Sequence, residues 1–262
     1  MILRRLRRAI SLCLALVLCV LGYWRARLRG PLSLEQSALW LQSSARAILA
    51  GLDIRFTVEG RPPARGLVVS NHLSYLDILI LSAAMPCSFV SKIEVRRWPY
   101  FGKAARAGAT IFLDRTSHAS TEASAQEIAR RLAFPVPILL FPEGTSTDGS
   151  RLLRFHARLF QPATQARAPI TAAALRYVLE NGVDERQLCW FGNAPFLPHL
   201  FKVLGVAGFT ADIHFGPPQI YTDPRIAAAE THAEVSAMRG EFRRSVEEIE
   251  RSTNELCGRP SF

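Results

Sequence analysis

The first 30 residues contain no Asp or Glu, and the run from Ala9 to Trp24 carries no charge of either sign. The chain also has no Cys-x-x-Cys pair and no Cys/His cluster. Its five cysteines (Cys13, Cys19, Cys87, Cys189 and Cys257) are isolated and odd in number. Zinc ribbons, thioredoxin-like redox sites and disulfide-stapled mini-proteins are therefore excluded, and nothing demands an oxidising compartment. No internal repeat, low-complexity tract or long linker interrupts the sequence, which argues against solenoids and disordered linker proteins. No serine sits in a Gly-x-Ser-x-Gly elbow, so the usual nucleophile signature of a lipid hydrolase is missing.

What is present is 262 residues, 49% of them apolar, enough for one domain with a real core. The net charge is +10, but seven arginines (Arg4, Arg5, Arg7, Arg8, Arg25, Arg27 and Arg29) fall within the first 30 residues, leaving 25 bases against 22 acids elsewhere. A nucleic-acid binder spreads its charge over the folded domain, so this distribution points away from one. As a helix, Ala9–Trp24 spans about 24 Å, short of the roughly 30 Å hydrocarbon core. A cleaved signal peptide needs a small-residue cleavage site. Here the run ends in Tyr23 and Trp24 and is flanked by arginines on both sides, as in a retained helix anchored at the headgroup layer. Spanning the bilayer and dipping into one leaflet both remain open, because positive charge on both flanks gives no orientation.

Ser33 with Gln36 forms a capping box after Pro31. Leu34, Ala38, Leu41, Ala45, Ile48 and Leu49 then recur at helical spacing, with Gly51 as a stop. This second helix either packs on the body or lies at the membrane surface. Residues 1–52 thus read as an N-terminal membrane-associated helical module and 53–262 as the main domain. In the latter, strands are expected at 54–58, 67–70, 88–90, 110–113, 137–141, 170–175 and 211–215. Helices are expected at 76–84, 98–107, 121–132 and 224–253. That alternation predicts an α/β fold, a single layered domain with a central mixed sheet flanked by helices.

Three loops carry chemistry. After the first buried strand comes Asn71-His72-Leu73-Ser74-Tyr75-Leu76-Asp77. On one continuous helix, positions five apart are separated by about 140°, so His72 and Asp77 could not meet. They meet if His72 lies in the strand-to-helix loop and Asp77 on the first turn, with Ser74 as N-cap. A carboxylate on one ring nitrogen fixes the tautomer and frees the other to take a proton. The second loop is Phe141-Pro142-Glu143-Gly144-Thr145-Ser146, where glycine permits close backbone approach and the hydroxyls offer donors. The third is Gly108 to Arg115; strand alternation places Asp114 and Arg115 on opposite faces, leaving Arg115 suited to bidentate phosphate recognition. Taken singly, each also reads as an ordinary turn or a surface cation.

In this order and spacing, the blocks resemble those of the 1-acylglycerol-3-phosphate acyltransferase family. Asn71, His72 and Asp77 match its Asn-His-x4-Asp signature. Gly108, Ile111, Phe112, Asp114 and Arg115 match its Gly-x-Ile-Phe-x-Asp-Arg block, and Phe141 through Thr145 its Phe-Pro-Glu-Gly-Thr block. Lys92, Glu94, Pro99 and Gly102 resemble the spacer; Ala168-Pro169-Ile170 matches the fourth block loosely, with a small Ala168 in place of the usual Val. The resemblance covers residues 53–220 and implies acyl transfer from a thioester to a lipid hydroxyl at a membrane. His72 would be general base and Asp77 its orienting partner. Arg115 would hold the acceptor's phosphate with Lys92 as a second cation, while Glu143, Gly144 and Thr145 would bind the acceptor. The donor would be acyl-CoA or acyl-carrier protein, with no other cofactor and no metal, and the site would face the cytoplasm at a bacterial inner membrane. Another lysolipid acceptor, such as a lyso-ornithine lipid, fits the same motifs. More distant readings are a lipid serine hydrolase using Ser74 or Ser146, and a non-enzymatic basic adaptor.

Overall fold

A computed structural model describes residues 2–114, 117–179 and 183–256, with side chains at all of these except 118 and 241–256. The apolar head is one long helix, α1 (Ile2–Arg27), of about 39 Å at 1.5 Å per residue. It is long and apolar enough to cross a membrane, and most of its apolar side chains are exposed. Its arginines do not all face outward: Arg8 is buried, pairs with Asp53 at 3.1 Å and donates to the Val206 carbonyl, and the Arg5 guanidinium lies 4.8 Å from the Phe201 ring centre. The headgroup role open to all seven arginines is thus closed to Arg8.

Helix α2 (Leu34–Leu52) starts at the expected Ser33–Gln36 capping box. It runs through Gly51 and ends where Asp53 adopts a left-handed φ of 58°. Gly51 therefore serves packing rather than termination: a Cβ there would sit 3.2 Å from the Ser11 carbonyl of α1. The opposite side of α2 sends Ala45, Leu49 and Leu52 into the core, so α2 packs on the body.

The sheet has the strands β1 (Ile54–Glu59), β2 (Leu67–Ser70), β3 (Ser88–Lys92), β4 (Ile111–Leu113), β5 (Ile138–Leu140), β6 (Ile170–Leu179) and β7 (Phe209–Phe215). Their order is β1-β7-β6-β2-β5-β3-β4. Pairing is parallel from β6 through β4; β7 is antiparallel to β6 and carries β1 with it, which makes the sheet mixed as expected. The short central strands β2 and β5 are apolar except for the terminal Ser70, because both faces are covered. Val68, Leu139, Ala173, Leu175 and Tyr177 enter the core on the side of α2 and α3 (Leu76–Ala84), whereas Leu67, Val69, Ile138, Leu140 and Ala172 enter the second core. On that second side lie α5 (His118–Arg131), α6 (Gln161–Gln165) and α8 (Pro224–Leu256).

Several helices differ from expectation: α5 begins at 118 rather than 121, and α6 falls in a segment where no helix was expected. The one placed at 98–107 begins later, as α4 (Phe101–Ala107), after a short 3-10 turn at Ile93–Arg97; Pro99 and a positive φ of 61° at Tyr100 separate the two. Helix α7 (Phe196–Gly205) lies in a run whose Pro195 and Pro198 obscured it. Proline is tolerated there because first-turn N–H groups have no intrahelical partner.

The consequence for function is geometric. β2, β5, β3 and β4 are consecutive and parallel, so the loops that follow them emerge at one end of the sheet, the usual ligand side of such layered folds.

Candidate active site

β2 gives out at Ser70, paired with Ala173, and the next residue continues the ladder with its side chain. The buried Asn71 amide donates to the Leu175 carbonyl at 3.0 Å and accepts from the Leu175 N–H at 2.8 Å. This fixes the loop against β6 just before His72. The His72 N–H donates to Glu143 Oε1 at 2.8 Å, and its carbonyl accepts from the Thr147 N–H at 2.9 Å. Its ring stacks on Phe141, with centroids 4.0 Å apart and planes 9° from parallel. Backbone and ring are thus held by residues of the loop after β5.

Asp77 stands on the first turn of α3 and looks back at that loop, the arrangement a spacing of five requires. Its Oδ2 lies 2.7 Å from His72 Nδ1 and accepts the N–H groups of Leu73 at 2.6 Å and Ser74 at 3.0 Å. Its Oδ1 accepts the Tyr177 hydroxyl of β6. Asp77 has no solvent exposure, and leaving such a carboxylate unpaired would cost several kcal/mol; four donors offset that. An acceptor-only carboxylate requires Nδ1 to carry the imidazole proton, which leaves Nε2 with its lone pair. The His72 side chain keeps 20% exposure, so the imidazole is reachable while its carboxylate partner is sealed. The expected N-cap at Ser74 is not what starts α3. Tyr75 occupies the cap position, Ser74 Oγ lies at a long 3.4 Å from the Leu76 N–H, and Asp77 takes the loop's N–H groups instead.

Glu143 is also buried, and both oxygens point inward: Oε1 receives the His72 N–H and Oε2 the Leu153 N–H at 2.8 Å. Burial pushes its carboxyl above the ordinary carboxylate range, against the two N–H bonds, which pull it down. Gly144 turns the chain with φ of 74°, and a Cβ there would come 3.4 Å from the His156 ring. The structure therefore brings His72, Asp77, Glu143 and Gly144 together. Thr145 is exposed on the same turn. Lys92 is exposed at the end of β3, opposite Leu113 of β4, with no ion-pair partner among the described residues. Arg115, two residues past β4, lies outside the described residues. Ser74 is fully buried, and Ser146 donates to the Trp190 carbonyl at 2.5 Å.

Tyr177 is the site residue that the sequence reading missed. The strand expected at 170–175 runs on to Leu179, and Tyr177 sits in the extension on the same face as Ala173 and Leu175. A tyrosine at an inward strand position needs a partner for its hydroxyl, which was the available signal. Burial first, and Asp77's charge second, push its ionisation well above the usual value, so it remains a donor.

The Acyltransferase family model matches residues 54–176, a span holding His72, Asp77 and Glu143. The chain is 39% identical over 186 residues to a lyso-ornithine lipid O-acyltransferase of Rhodobacter capsulatus, covering 68% of this chain and 66% of that protein. It is 38% identical over 178 residues to a 1-acyl-sn-glycerol-3-phosphate acyltransferase of Neisseria meningitidis, covering 63% and 68%. The chain thus spans about two thirds of the length of these curated relatives. The crystal structure of the Thermotoga maritima 1-acyl-sn-glycerophosphate acyltransferase shares the fold, with a TM-score of 0.55 at 20% identity over 97% of this chain and all of that one. With two thirds of the Neisseria protein matched at that identity and the family model lying across residues 54–176, this chain belongs to the acyltransferase family.

Proposed function

We propose that this chain is a membrane-associated O-acyltransferase that moves a fatty acyl group from acyl-CoA or acyl-carrier protein to a lysophospholipid hydroxyl. Its principal acceptor is 1-acyl-sn-glycerol 3-phosphate and its product phosphatidic acid. The observation that carries the reading is the His72–Asp77 pair, an imidazole held at Nδ1 by a sealed carboxylate while its side chain keeps 20% exposure. A lipid hydroxyl is a weak nucleophile. As its oxygen attacks the thioester carbonyl, His72 Nε2 takes the proton, and Asp77 stabilises the resulting imidazolium, help worth about 10²–10⁴-fold. Collapse of the tetrahedral intermediate breaks the C–S bond, and the thiolate leaves with the proton from His72. The proton balance closes without a cofactor or a metal, and direct attack needs no acyl-serine.

The relatives support a lipid acceptor and also a second reading. A lyso-ornithine lipid enzyme and a lysophosphatidate enzyme are almost equally similar to this chain. In the favoured reading, Arg115 and Lys92 hold the phosphate, Gly144 and Thr145 line the acceptor subsite on a turn that Glu143 braces from within, and the exposed apolar face of α1 associates with the inner membrane on its cytoplasmic side. Residues 1–52 then serve as the membrane module and 53–262 as the acyltransferase domain.

An acceptor panel tests this, using full-length protein with 1-acyl-sn-glycerol 3-phosphate or lyso-ornithine lipid and each donor type. The phosphate acceptor is expected to react faster. Arg115→Ala should raise its KM by about tenfold, the worth of one charge-assisted bidentate contact, and shift the lyso-ornithine KM less than about twofold. Faster turnover of lyso-ornithine lipid transfers the assignment to that acceptor. Release of free fatty acid without acylated lipid defeats the transferase reading in favour of a hydrolase.

A further inference from the structure

The most heavily constrained group in the site is Asp77, and its two oxygens are constrained differently. Oδ2 has three donors, all from its own loop: His72 Nδ1 and the N–H groups of Leu73 and Ser74. Oδ1 has one, the hydroxyl of Tyr177, which comes from a strand a hundred residues away. Three donors on one oxygen do not by themselves stop the carboxylate from tilting, because they converge on a single atom. The fourth donor fixes the other oxygen and with it the plane of the group.

Tyr177 is itself rigidly mounted. Its ring packs edge-on against Phe209, with centroids 5.4 Å apart, and is fully enclosed in the core on the α3 side. Its N–H donates to Glu185 Oε2 at 3.1 Å. Glu185 is held by Arg239 of α8 at 2.6 Å, and the same guanidinium donates to the Leu175 carbonyl at 2.8 Å, the carbonyl that also receives the Asn71 amide. β6 is therefore pinned at 175 to the Asn71 side chain ahead of His72 and at 177 to the carboxylate behind it.

We propose that Tyr177 is a positioning residue for acyl transfer: by donating to Oδ1 it holds the Asp77 carboxylate so that Oδ2 faces His72 Nδ1 throughout the reaction. This rests on the acyl-transfer reading above. Tyr177 is buried and its hydroxyl meets Asp77 rather than His72, so its effect passes through Asp77. Removing the hydroxyl leaves a buried carboxylate oxygen without a donor. The negative potential at His72 then grows, and a proton is bound there more tightly.

Tyr177→Phe keeps the ring and removes only the donor. Expected are a fall in kcat of about 10- to 100-fold, the worth of a hydrogen bond to a charged group, with acceptor KM changed less than about twofold. The acidic limb of the pH–kcat profile should move to higher pH by about half a unit. In an Asp77→Asn background the same change should cost nothing further, because the partner through which it acts has been altered. A purely structural role would lower thermal stability without moving the pH limb, and its cost would add to that of Asp77→Asn; either result overturns the proposal. Carbethoxylation of His72, followed by peptide mass spectrometry across the same pH range, reads the shift without acyl transfer. If wild-type protein acylates no lysolipid, the functional reading fails, while the labelling profile still decides whether Tyr177 governs His72. If Tyr177→Phe does not fold, replacing tyrosine with 3-fluorotyrosine strengthens the donor and should move the labelling limb to lower pH. An unmoved limb overturns the proposal.

Discussion

The two sides of the active-site end of the sheet are built on different terms. Around β2, β5 and β6, the polar groups face one another: His72 is held through its N–H, its carbonyl and its Nδ1, Asp77 through both oxygens, and Glu143 through both oxygens. Toward β3 and the turn after β5, Lys92 and Thr145 are exposed and reach no ion pair among the described residues. On the proposed reading, the first side is finished before substrate arrives and the second is completed by it. Groups that move protons need fixed geometry, whereas groups that select a head group gain from desolvating only when it binds. Loss on the first side should therefore appear in kcat, and on the second in KM.

The sharpest way to break this contrast is His72→Ala. It should reduce acyl transfer by at least about 10³-fold while leaving the fold and membrane association intact, since the ring contributes stacking on Phe141 but the loop is held by its backbone. Turnover within tenfold of wild type, at matched protein in the same vesicles, removes His72 as the base.

Glu143→Gln probes the brace rather than the base. Glutamine keeps one acceptor but turns an NH2 toward the second backbone N–H, so either His72 or Leu153 loses its partner. A fall in kcat of about tenfold is expected, with a lower Tm from one unsatisfied buried N–H. The pH dependence has a definite sign. Burial holds the Glu143 carboxyl above its unfolded value, so its contribution to stability is fully present below the ordinary glutamate range and is lost as pH rises through the folded-state value. Wild type should therefore lose Tm relative to Glu143→Gln as pH rises over that interval. A parallel pair of Tm curves, or an effect confined to acceptor KM, would move Glu143 to the substrate side of the comparison.

The sequence made the first side legible because its motif residues are close in the chain and the order of strands and loops is short and regular. The spacing of five set the condition under which His72 in a loop and Asp77 on the next turn could meet, and the three blocks taken together singled the pair out. The edges of that picture were lost where one long-range contact outweighed a local signal. Gly51 reads as a helix stop, yet α2 continues because α1 packs against that position. Ser74 reads as an N-cap, yet Asp77 takes the backbone donors of the turn. Tyr177 offered only the general signal of an inward tyrosine on a strand, since the partner that defines its role is 100 residues away. Arg8 was one of seven apparently equivalent arginines, and only the meeting of α1 with Asp53 and Val206 distinguishes it.

The smallest expected effect is on the open side. Lys92 ends β3 directly across from Leu113, the last residue of β4, so its ammonium sits at the same end of the sheet as the His72 loop, two strands further out. An exposed ammonium acts as a point charge, and its attraction to a phosphate is worth about 1 kcal/mol once screened. Lys92→Ala should therefore raise the KM for 1-acyl-sn-glycerol 3-phosphate by about 3- to 10-fold and leave kcat within about twofold. Because the interaction is exposed, raising ionic strength should shrink the difference between wild type and variant. A salt-independent loss, or one carried by kcat, would mean that Lys92 belongs to the preorganised half of the site, and the division between fixed chemistry and ligand-completed selectivity would then have to be drawn nearer the edge of the sheet.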